Sequence, residues 1–420
     1  MKKLELLAPA GNLLKMRTAF FAGADAVYLG IPDFSLRVRI NDFDLVGVAL
    51  AIKEAHLKKK KVYLTINIFA HNKHLAKLPV YVKQIKVMGP DGLIVSDPGV
   101  MAVIKKIWPA AEIHLSTQAN CTNAAAAKFW YDNGVTRVVL GREVTLSEIK
   151  EIHQAVPKLE LEYFAHGAMC MAYSGRCFLS KELVDRSGNL GDCAQPCRWE
   201  YSIKARNHEE EFDLVEEEHG TYLLNSKDLC LLEYLPELIA AGVTSFKIEG
   251  RAKSVYYQAV VSGIYARALK FLSHKPSSAD WKKEAKYLKA ELTDKLVHRG
   301  YTSGFLLGGK AEQNLTSANH LSAWEFCGQV IEPETGWFLP KLKKDEWAVY
   351  FKVHNTIKID DEVEIIGPEY AIMKVKPKQI YDAKTGEILS EVHGGGGSRI
   401  GLIITKKLIP ALSVLRRKIK

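Results

Sequence analysis

The chain has 420 residues, of which 47% are hydrophobic and 25% are charged, an ordinary composition for a soluble protein. Its apolar runs are shorter than the roughly 18 residues that a membrane-spanning helix needs, so we expect no membrane partner. The net charge of +10 favours partners that carry phosphate groups, because neutralising phosphates releases counterions. A lysine-rich proteome would give the same balance.

The first predicted element is a strand in the opening segment MKKLELLAPAG. Two lysines are followed there by a glutamate and only a short apolar run, which is not the pattern of a secretory signal peptide. We therefore expect a cytoplasmic protein. Thiols stay reduced in that compartment, and clustered cysteines bind metal more often than they form disulfides.

Short β-rich runs then alternate with amphipathic helical stretches from Leu4 to about Glu249. The predicted strands are LELLAP, DAVYLG, KVYLTINIF, DGLIVSD, EIHLSTQ, TRVVLGRE, LELEYFAHG and SFKIEGR. Helical patterns such as 13–22, 80–88 and 124–133 separate them, and glycines in FAGAD, DNGVT and AAGVT fall where helix C-caps belong. The pattern predicts an α/β protein with a closed (β/α)8 TIM-like barrel. A doubly wound open sheet is the alternative, but no GxGxxG turn follows the first strand.

The alternation is interrupted after the seventh strand by about eighty residues that contain a cysteine-rich loop and the acidic stretch NHEEEFDLVEEEH. Beyond residue 320 the hydrophobic period changes to two, in FCGQVIE, WAVYFKV, DEVEIIG and GLIIT. We predict three parts. They are a TIM-like barrel over 1–270 with a cysteine-rich insertion at 166–230, a helical connector over 271–319, and a small C-terminal all-β barrel domain over 320–420.

Polar residues follow the predicted strands, at the ends where barrel enzymes gather their chemistry. They are Asn67, His71, Ser96, Asp97, Gln118, Arg142, Glu143, His166, Lys247, Glu249 and Arg251. Many of these side chains can bind a carboxylate or a phosphate, so we expect a small anionic ligand at the barrel mouth. Solvent exposure alone would also place polar residues there.

Five of the seven cysteines lie in the insertion: Cys170, Cys177, Cys193, Cys197 and Cys230. Cys121 and Cys327 are isolated, and we predict that both are core residues. Zinc usually takes two short CxxC-like pairs, whereas the only tight pair here is CAQPC. Thiolates from separate loops suit an iron–sulfur cluster as well, and free thiols or disulfides also fit the spacing. A cysteine-protease nucleophile has no identified orienting partner, and neither HExxH nor GxSxG occurs.

The segment EYFAHGAMCMAYSGRCFLS resembles the signature of the peptidase U32 family, the collagenase-like proteins. The resemblance extends through LLAPAG, GADAVYLG, HLSTQAN, CAQPCRWEY, KIEGRAKS and HRGYTSGFL, and therefore covers nearly the whole barrel. Several branches of this family resemble oxygen-independent hydroxylases with a [4Fe-4S] cluster. This chain is most similar to the branch that forms 5-hydroxyuridine at the wobble position of tRNA in a prephenate-dependent manner.

The resemblance implies a [4Fe-4S] cofactor, tRNA as partner and prephenate as co-substrate. A paralogous partner subunit is a further candidate partner, which the sequence does not identify. It implies cluster ligands at Cys170, Cys177 and Cys193. The fourth ligand is Cys230 or Cys197, and we favour Cys230 because its separate loop could close the site.

Other site residues come from the barrel mouth rather than from the family. Arg37, Arg39 and Arg251 are candidates to bind carboxylates bidentately, with Gln118 and Lys247 as further substrate-binding residues. His166, which can move a proton near neutral pH, Arg176 and Glu249 are the candidate catalytic residues. Each has an alternative structural role in a salt bridge or a cap. Two other functions stay open: a U32-type peptidase, and a non-catalytic RNA-binding or assembly protein.

Overall fold

The computed structural model describes residues 3–36, 42–170, 176–199, 226–309, 312, 322–395 and 399–419. The chain packs into two compact units. The first consists of Met1–Met16, Asp25–Ala252 and Val297–His320, and the second of Arg17–Ala24, Lys253–Leu296 and Leu321–Lys420. None of the helices within the described ranges is long and apolar enough to cross a bilayer.

The first unit is built on a closed barrel of eight parallel strands, as predicted. They are β1 (Glu5–Pro9), β2 (Ala26–Gly30), β3 (Lys61–Ile66), β4 (Gly92–Val95), β5 (Ile113–Leu115), β6 (Arg137–Val139), β7 (Glu160–Ala168) and, after the short β8 (Asp228–Cys230), β9 (Val243–Ile248). The first seven pair in sequence order, and β9 closes the ring by pairing with both β1 and β7. Each of these eight strands overlaps a predicted strand.

Helices connect the barrel strands on the outside. They are α1 (Leu13–Ala22), α2 (Leu45–Leu57), α3 (Asn72–Met88), α4 (Pro98–Ile107), α5 (Ala124–Asp132), α6 (Leu146–Ala155), α7 (Leu179–Val184) and α8 (Leu235–Ala240). Their ends follow from local chemistry. The Thr145 hydroxyl accepts from the Glu148 amide while the Glu148 carboxylate accepts from the Thr145 amide, a capping box that begins α6. The three glycines predicted as C-caps all have positive φ.

Two short strands were not predicted. The strand β8 runs antiparallel to β7 and pairs Cys230 with His166, and β10 (Tyr301–Thr302) runs parallel to β8. Both lie outside the closed ring of eight. The two residues of β10 carry too little period-two pattern to be recognised, and β8 lies at the end of the segment interpreted as a cysteine-rich insertion.

Charged side chains fill part of the barrel interior. Arg137 Nη1 lies 2.5 Å from Glu5 Oε1 and 3.2 Å from Glu162 Oε2, and Ser245 Oγ lies 3.1 Å from both of these oxygens. Lys247 Nζ donates to Glu162 Oε1 at 2.7 Å. A buried charge is tolerated only when it is paired and hydrogen-bonded, and here each one is. The network fixes Lys247 beneath the mouth of the barrel.

The second unit combines two helices with the β-rich end of the chain. The helices are α9 (Val255–Ser273) and α10 (Ser278–Lys295), and the strands are β11 (Trp324–Val330), β12 (Trp347–Val353), β13 (Ile357–Lys358), β14 (Val363–Ile366), β15 (Ile372–Val375), β16 (Ile380–Asp382), β17 (Ile388–Leu389), β18 (Glu391–Val392), β19 (Ile400–Thr405) and β20 (Val414–Lys418).

Eight of these strands form an antiparallel half-barrel in the order β15-β14-β20-β11-β12-β19-β16-β17. The prediction that the C-terminal region is all-β is therefore confirmed. In the described part of the chain, its main sheet has β15 and β17 as edges and is not a fully closed barrel. Phe351, Ile403 and Leu415 are fully buried in its core.

Helices α9 and α10 belong to this second unit, whereas the sequence prediction assigned residues 253–270 to the barrel and 271–319 to a connector. One reason is the fully buried Arg416 on β20. It donates to Glu364 on β14 and to Glu291 on α10, and its Nη1 lies 2.9 Å from the Tyr370 hydroxyl. Such a long-range ion network leaves no signal in local periodicity.

Candidate functional site

The C-terminal ends of the barrel strands open into a cavity of about 370 Å³. Its wall combines strand-end side chains of the barrel with residues of the segment 176–199 from the cysteine-rich insertion. Cavities of about 300–1,000 Å³ hold small ligands in proteins. The mouth of the barrel is therefore a ligand-sized site.

Four cysteines line this cavity: Cys170, Cys177, Cys193 and Cys197. All four are free thiols, and none is fully buried. Cys170 follows directly after the end of β7, whereas the other three come from the loops around α7. The structure thus brings together four thiols that are separated by up to 27 positions in sequence, from three short segments of chain.

Backbone amides point at two of the sulfurs. The Leu179 amide lies 3.4 Å from Cys177 Sγ, and the Gln195 amide lies 3.3 Å from Cys193 Sγ. Gly188 passes so close that a Cβ there would lie 3.6 Å from Cys193 Sγ. Amide donors stabilise thiolates, and hydrogen bonds to the sulfurs tune the reduction potential of cysteine-bound clusters.

The other three cysteines affect the pKa of the Cys197 thiol. Burial raises the pKa of the Cys197 thiol above its ordinary value, Arg198 opposes the rise, and Cys170, Cys193 and Cys177 add to it. Even so, no three His, Cys, Asp or Glu side chains in the described ranges converge tightly enough to hold a metal ion. The thiols lie around the wall of a cavity and do not meet at one point as the ligands of a structural zinc do.

Cys230 lies elsewhere. It sits on β8, is 2% exposed, and does not line the cavity. Its pairing partner across the strands is His166, on the far side of β7 from the cavity. The structure therefore groups Cys197, the predicted alternative, with the first three cysteines and leaves Cys230 apart. Cys121 and Cys327 are fully buried, and burial raises their thiol pKa values to about 11 and about 12.

Lys247 and Arg142 are two of the four cationic side chains that line the cavity. Lys247 Nζ lies 4.2 Å from the centre of the Tyr28 ring in addition to its contact with Glu162, and burial lowers its pKa. The Arg142 guanidinium carbon lies 3.6 Å from the centre of the Phe164 ring. The Arg142 Nε is buried and has no hydrogen-bond partner in the described part of the chain. Arg142 therefore has donor capacity that an anion in the cavity could use.

Arg251 and Glu249 also line the cavity, but both make contacts with the protein. Arg251 Nη1 donates to Ser35 Oγ at 3.1 Å and Nη2 to the Leu36 carbonyl at 2.8 Å. The Tyr28 hydroxyl lies 3.0 Å from Glu249 Oε2. Arg251 therefore fixes the start of the loop that follows β2, while one face of each side chain still borders the cavity.

Gln118 lines the cavity, and Arg176 supports it from outside. The Arg176 guanidinium donates to the Gln118 carbonyl oxygen at 2.8 and 3.2 Å, and its carbon lies 5.7 Å from the centre of the Phe69 ring. Arg176 itself is exposed and does not border the cavity. It is placed to position Gln118 rather than to contact a ligand in the cavity.

His166 does not reach the cavity, because β7 contains an irregularity. Phe164 pairs with Lys247 on β9, but His166 pairs with Ile248, so one extra residue lies between them. A shift of one residue moves a side chain to the other face of a sheet. The His166 ring consequently lies on the outer face, 5.4 Å from the centre of the Tyr301 ring. The next residue, Gly167, has φ +116°, and a Cβ there would lie 2.3 Å from the Glu249 carbonyl oxygen.

The remaining predicted residues have other positions. Arg37 and Arg39 lie outside the described residues. Asp97 caps α4 by accepting from the Val100 amide, and His71 caps α3; neither lines the cavity. Asn67 does line it, and donates to Ser116 Oγ at 3.2 Å.

The cavity residues that the sequence analysis missed include Tyr28, Phe164 and Arg198. Tyr28 and Phe164 lie within strands, and their alternation with outward-facing neighbours gives the signal that could have placed them inside the barrel. Arg198 lies in the CRWEY motif, where it follows Cys197 directly. No local feature distinguishes it from an exposed arginine.

Comparison of the sequence with those of known proteins identifies its family. Residues 11–316 match the profile of peptidase family U32. The tRNA hydroxylation protein P of Escherichia coli is 38% identical over 414 residues, covering 88% of this chain and 87% of that protein. Its namesake in Haemophilus influenzae is 41% identical over 415 residues, covering 87% and 86%. A collagenase of Porphyromonas gingivalis is 30% identical over 428 residues, covering 98% and 97%. The chain belongs to peptidase family U32.

Proposed function

We propose that this protein is an iron–sulfur-dependent tRNA uridine hydroxylase that forms 5-hydroxyuridine at the wobble position, with prephenate as co-substrate, in the cytoplasm. The observation that carries the proposal is the cavity at the barrel mouth, which is lined by four thiols and by Arg142, whose Nε has no hydrogen-bond partner among the described residues. Two relatives of similar length named tRNA hydroxylation protein P support it. A paralogous partner subunit stays part of the proposal.

Cys170, Cys177, Cys193 and Cys197 are the proposed ligands of a [4Fe-4S] cluster. Four cysteine thiolates are the usual donor set of such a cluster, and each binds a different iron. This arrangement needs thiols spread around a small volume, as the cavity has them, rather than converging on one ion. We therefore revise the fourth ligand from Cys230 to Cys197. When bound, the cluster would supply electron-transfer chemistry at the mouth of the barrel.

Arg142 is the proposed main contact for the carboxylates of the co-substrate. Its guanidinium is held against Phe164, and its buried Nε offers a hydrogen bond to a ligand in the cavity. Arginine binds carboxylates bidentately, and a fixed guanidinium loses little freedom on binding. Lys247 adds positive charge from the floor. Arg251, Arg37 and Arg39 remain proposed secondary contacts.

Gln118 and Asn67 are the proposed contacts for the uracil edge, because an amide side chain offers both a donor and an acceptor. Glu249 also lines the cavity and lies on the loop that follows β9. A carboxylate there can hold or move a proton. Arg176 holds the Gln118 backbone, and we assign it a positioning role. We assign His166 no part in the chemistry, since it faces away from the cavity.

The test is nucleoside mass spectrometry of tRNA from a strain that lacks this gene and any paralogue. We expect 5-hydroxyuridine and its derivatives to disappear and to return when the gene is restored. Wild-type levels in the deletion strain would contradict the proposal.

The peptidase function is the second candidate, because a collagenase belongs to the same family at 30% identity. A cysteine peptidase needs a thiol activated by a nearby base. The one histidine near the cysteines in sequence, His166, lies on the other face of β7. Gelatin cleavage by the pure protein that a single substitution at a cavity cysteine abolishes would establish the peptidase instead.

A further inference from the structure

Two aromatic side chains of the cysteine-rich insertion are exposed beside the cavity. The Phe178 side chain is 77% exposed and Trp199 is 40% exposed. Phe178 lies between Cys177 and Leu179, which both line the cavity, and Trp199 directly follows the lining residue Arg198. Both aromatics therefore lie at the rim of the cavity, with their faces available to a ligand that enters it.

The rim is held in place by hydrogen bonds rather than by its aromatics. The Ala194 amide donates to Ser180 Oγ at 2.9 Å, which joins α7 to the segment that carries Trp199. The Cys177 amide donates to Asn189 Oδ1 at 3.1 Å. Both rings keep a large exposed surface beside these fixed segments, and adjacent exposed apolar groups can mark an interaction site.

Positive charge adjoins the same rim. The Phe69 amide donates to the Asn189 carbonyl at 3.2 Å, which places the start of α3 beside the insertion. That helix begins at Asn72, carries Lys73, His74 and Lys77 in its first two turns, and has no acidic residue in its first turn. Burial lowers the pKa of His74, and the neighbouring cations Lys73, His71 and Lys77 lower it further, while Asp33 opposes them. A helix N-terminus already favours anions, so this start is strongly suited to phosphate.

We propose that Phe178 and Trp199 form a stacking platform for the unpaired bases next to the reacting uridine, with Lys73 and Lys77 contacting the phosphates between them. The inference rests on the proposed function and adds how a single base is presented to the cavity. Proteins that recognise single-stranded RNA stack splayed bases on exposed aromatics and follow the backbone with cations. Stacking the neighbours stabilises the loop conformation in which one base leaves the stack and enters the pocket.

The test uses the full chain, loaded anaerobically with iron and sulfide, and a hairpin RNA whose unpaired anticodon-like loop contains the target uridine. Affinity is measured by fluorescence anisotropy at one fixed salt concentration. Phe178→Ala and Trp199→Ala should each weaken binding by about 5- to 150-fold, as expected for one lost stack. Phe178→Tyr keeps the aromatic face and should bind as wild type does, whereas Phe178→Leu should not. Phe129→Ala is the matched control, since Phe129 is a 58% exposed aromatic on α5.

The outcomes separate this inference from the proposed function. Wild-type affinity in Phe178→Ala and Trp199→Ala, with RNA still hydroxylated, overturns the platform alone. Failure of the wild-type chain to bind RNA overturns the function. Leu183 and Leu190 are exposed on the same segment and would serve a protein partner. If Leu183→Ser lowers RNA affinity as much as Phe178→Ala, the rim is a general apolar contact and base stacking is refuted. A lower melting temperature in Phe178→Ala with unchanged affinity refutes it too, and assigns the ring to packing.

Discussion

At the scale of single residues, the first prediction separates Cys197 from Cys230. Cys197→Ala should lose iron from the anaerobically purified protein, because it opens one coordination site, and Cys230→Ala should keep it. Cys170→Ala, Cys177→Ala and Cys193→Ala should each lose iron as Cys197→Ala does. Iron and acid-labile sulfide per chain, with the visible absorbance, give the measurement. Full iron in Cys197→Ala together with loss in Cys230→Ala would restore the original prediction of the fourth ligand.

A second residue-scale prediction concerns Arg142. Arg142→Gln should raise the apparent KM for the anionic co-substrate by about 10- to 150-fold, as expected when a charged hydrogen bond is lost. The iron content should stay unchanged, because Arg142 is not a thiolate ligand. Arg142→Lys keeps the positive charge but loses the planar guanidinium group. Its apparent KM should therefore lie between those of the wild type and Arg142→Gln. Steady-state kinetics at saturating RNA measure the effect, and an unchanged KM in Arg142→Gln would remove the residue from co-substrate binding.

Several of the residues predicted for the site line the cavity, but sequence reasoning did not give the orientation of every side chain. Gln118, Lys247, Glu249 and Arg251 line the cavity because the ends of parallel strands share one face. His166 follows the same rule in the sequence, yet the extra residue in β7 turns it outward. Such an irregularity arises from pairing with β9, which is distant in sequence. The sequence analysis favours Cys230 as the fourth ligand on the assumption that it lies in a separate loop. Its pairing with β7 instead makes it part of the short strand β8.

At the scale of elements, the buried carboxylates predict acid sensitivity. Glu291 on α10 has a lowered pKa: burial raises it, but hydrogen bonds and attraction from Lys295 and Arg416 outweigh burial. A native pKa below the unfolded value means that the carboxylate stabilises the fold above the unfolded pKa. This contribution disappears as the pH falls through the native value. The urea midpoint of unfolding should therefore decrease below about pH 4.5.

Glu291→Gln tests the assignment. It should lower the midpoint at neutral pH and flatten its decrease in acid, because the titrating group is gone. The matched control is Glu362→Gln on the same unit, whose carboxylate pairs with Lys376 at 3.1 Å but is 69% exposed. An exposed ion pair contributes little to stability, so the control should follow the wild type. Equal pH profiles for wild type and Glu291→Gln would contradict this account of the network.

Barrel elements were predictable because each carries its own signals. Mostly buried runs of three to nine residues form the strands, and Asp, Thr and Gly residues mark the helix ends. The helix 13–22 was predicted with the bounds that α1 has. The short strands β8 and β10, and the assignment of α9 and α10 to the second unit, depend on pairing and on the ion network around Arg416. Contacts between distant segments leave no local pattern.

At the scale of the whole molecule, charge, cavity and family agree on an RNA substrate. The chain carries +10, which favours polyanions but would also suit other partners. The cavity is sized for a small ligand and a base, and not for a folded protein. Fold alone would not distinguish a hydrolase from a hydroxylase, because barrels support many reactions. The proposed function therefore depends on the thiols at the mouth of the barrel.

The most direct test expresses variants in the strain that lacks this gene and its paralogues, and measures wobble 5-hydroxyuridine in tRNA by mass spectrometry. Wild type and Cys230→Ala should restore the modification, and Cys197→Ala should not, at equal protein levels. Restoration by Cys197→Ala to the wild-type level, or no restoration by the iron-loaded wild type, would contradict the account.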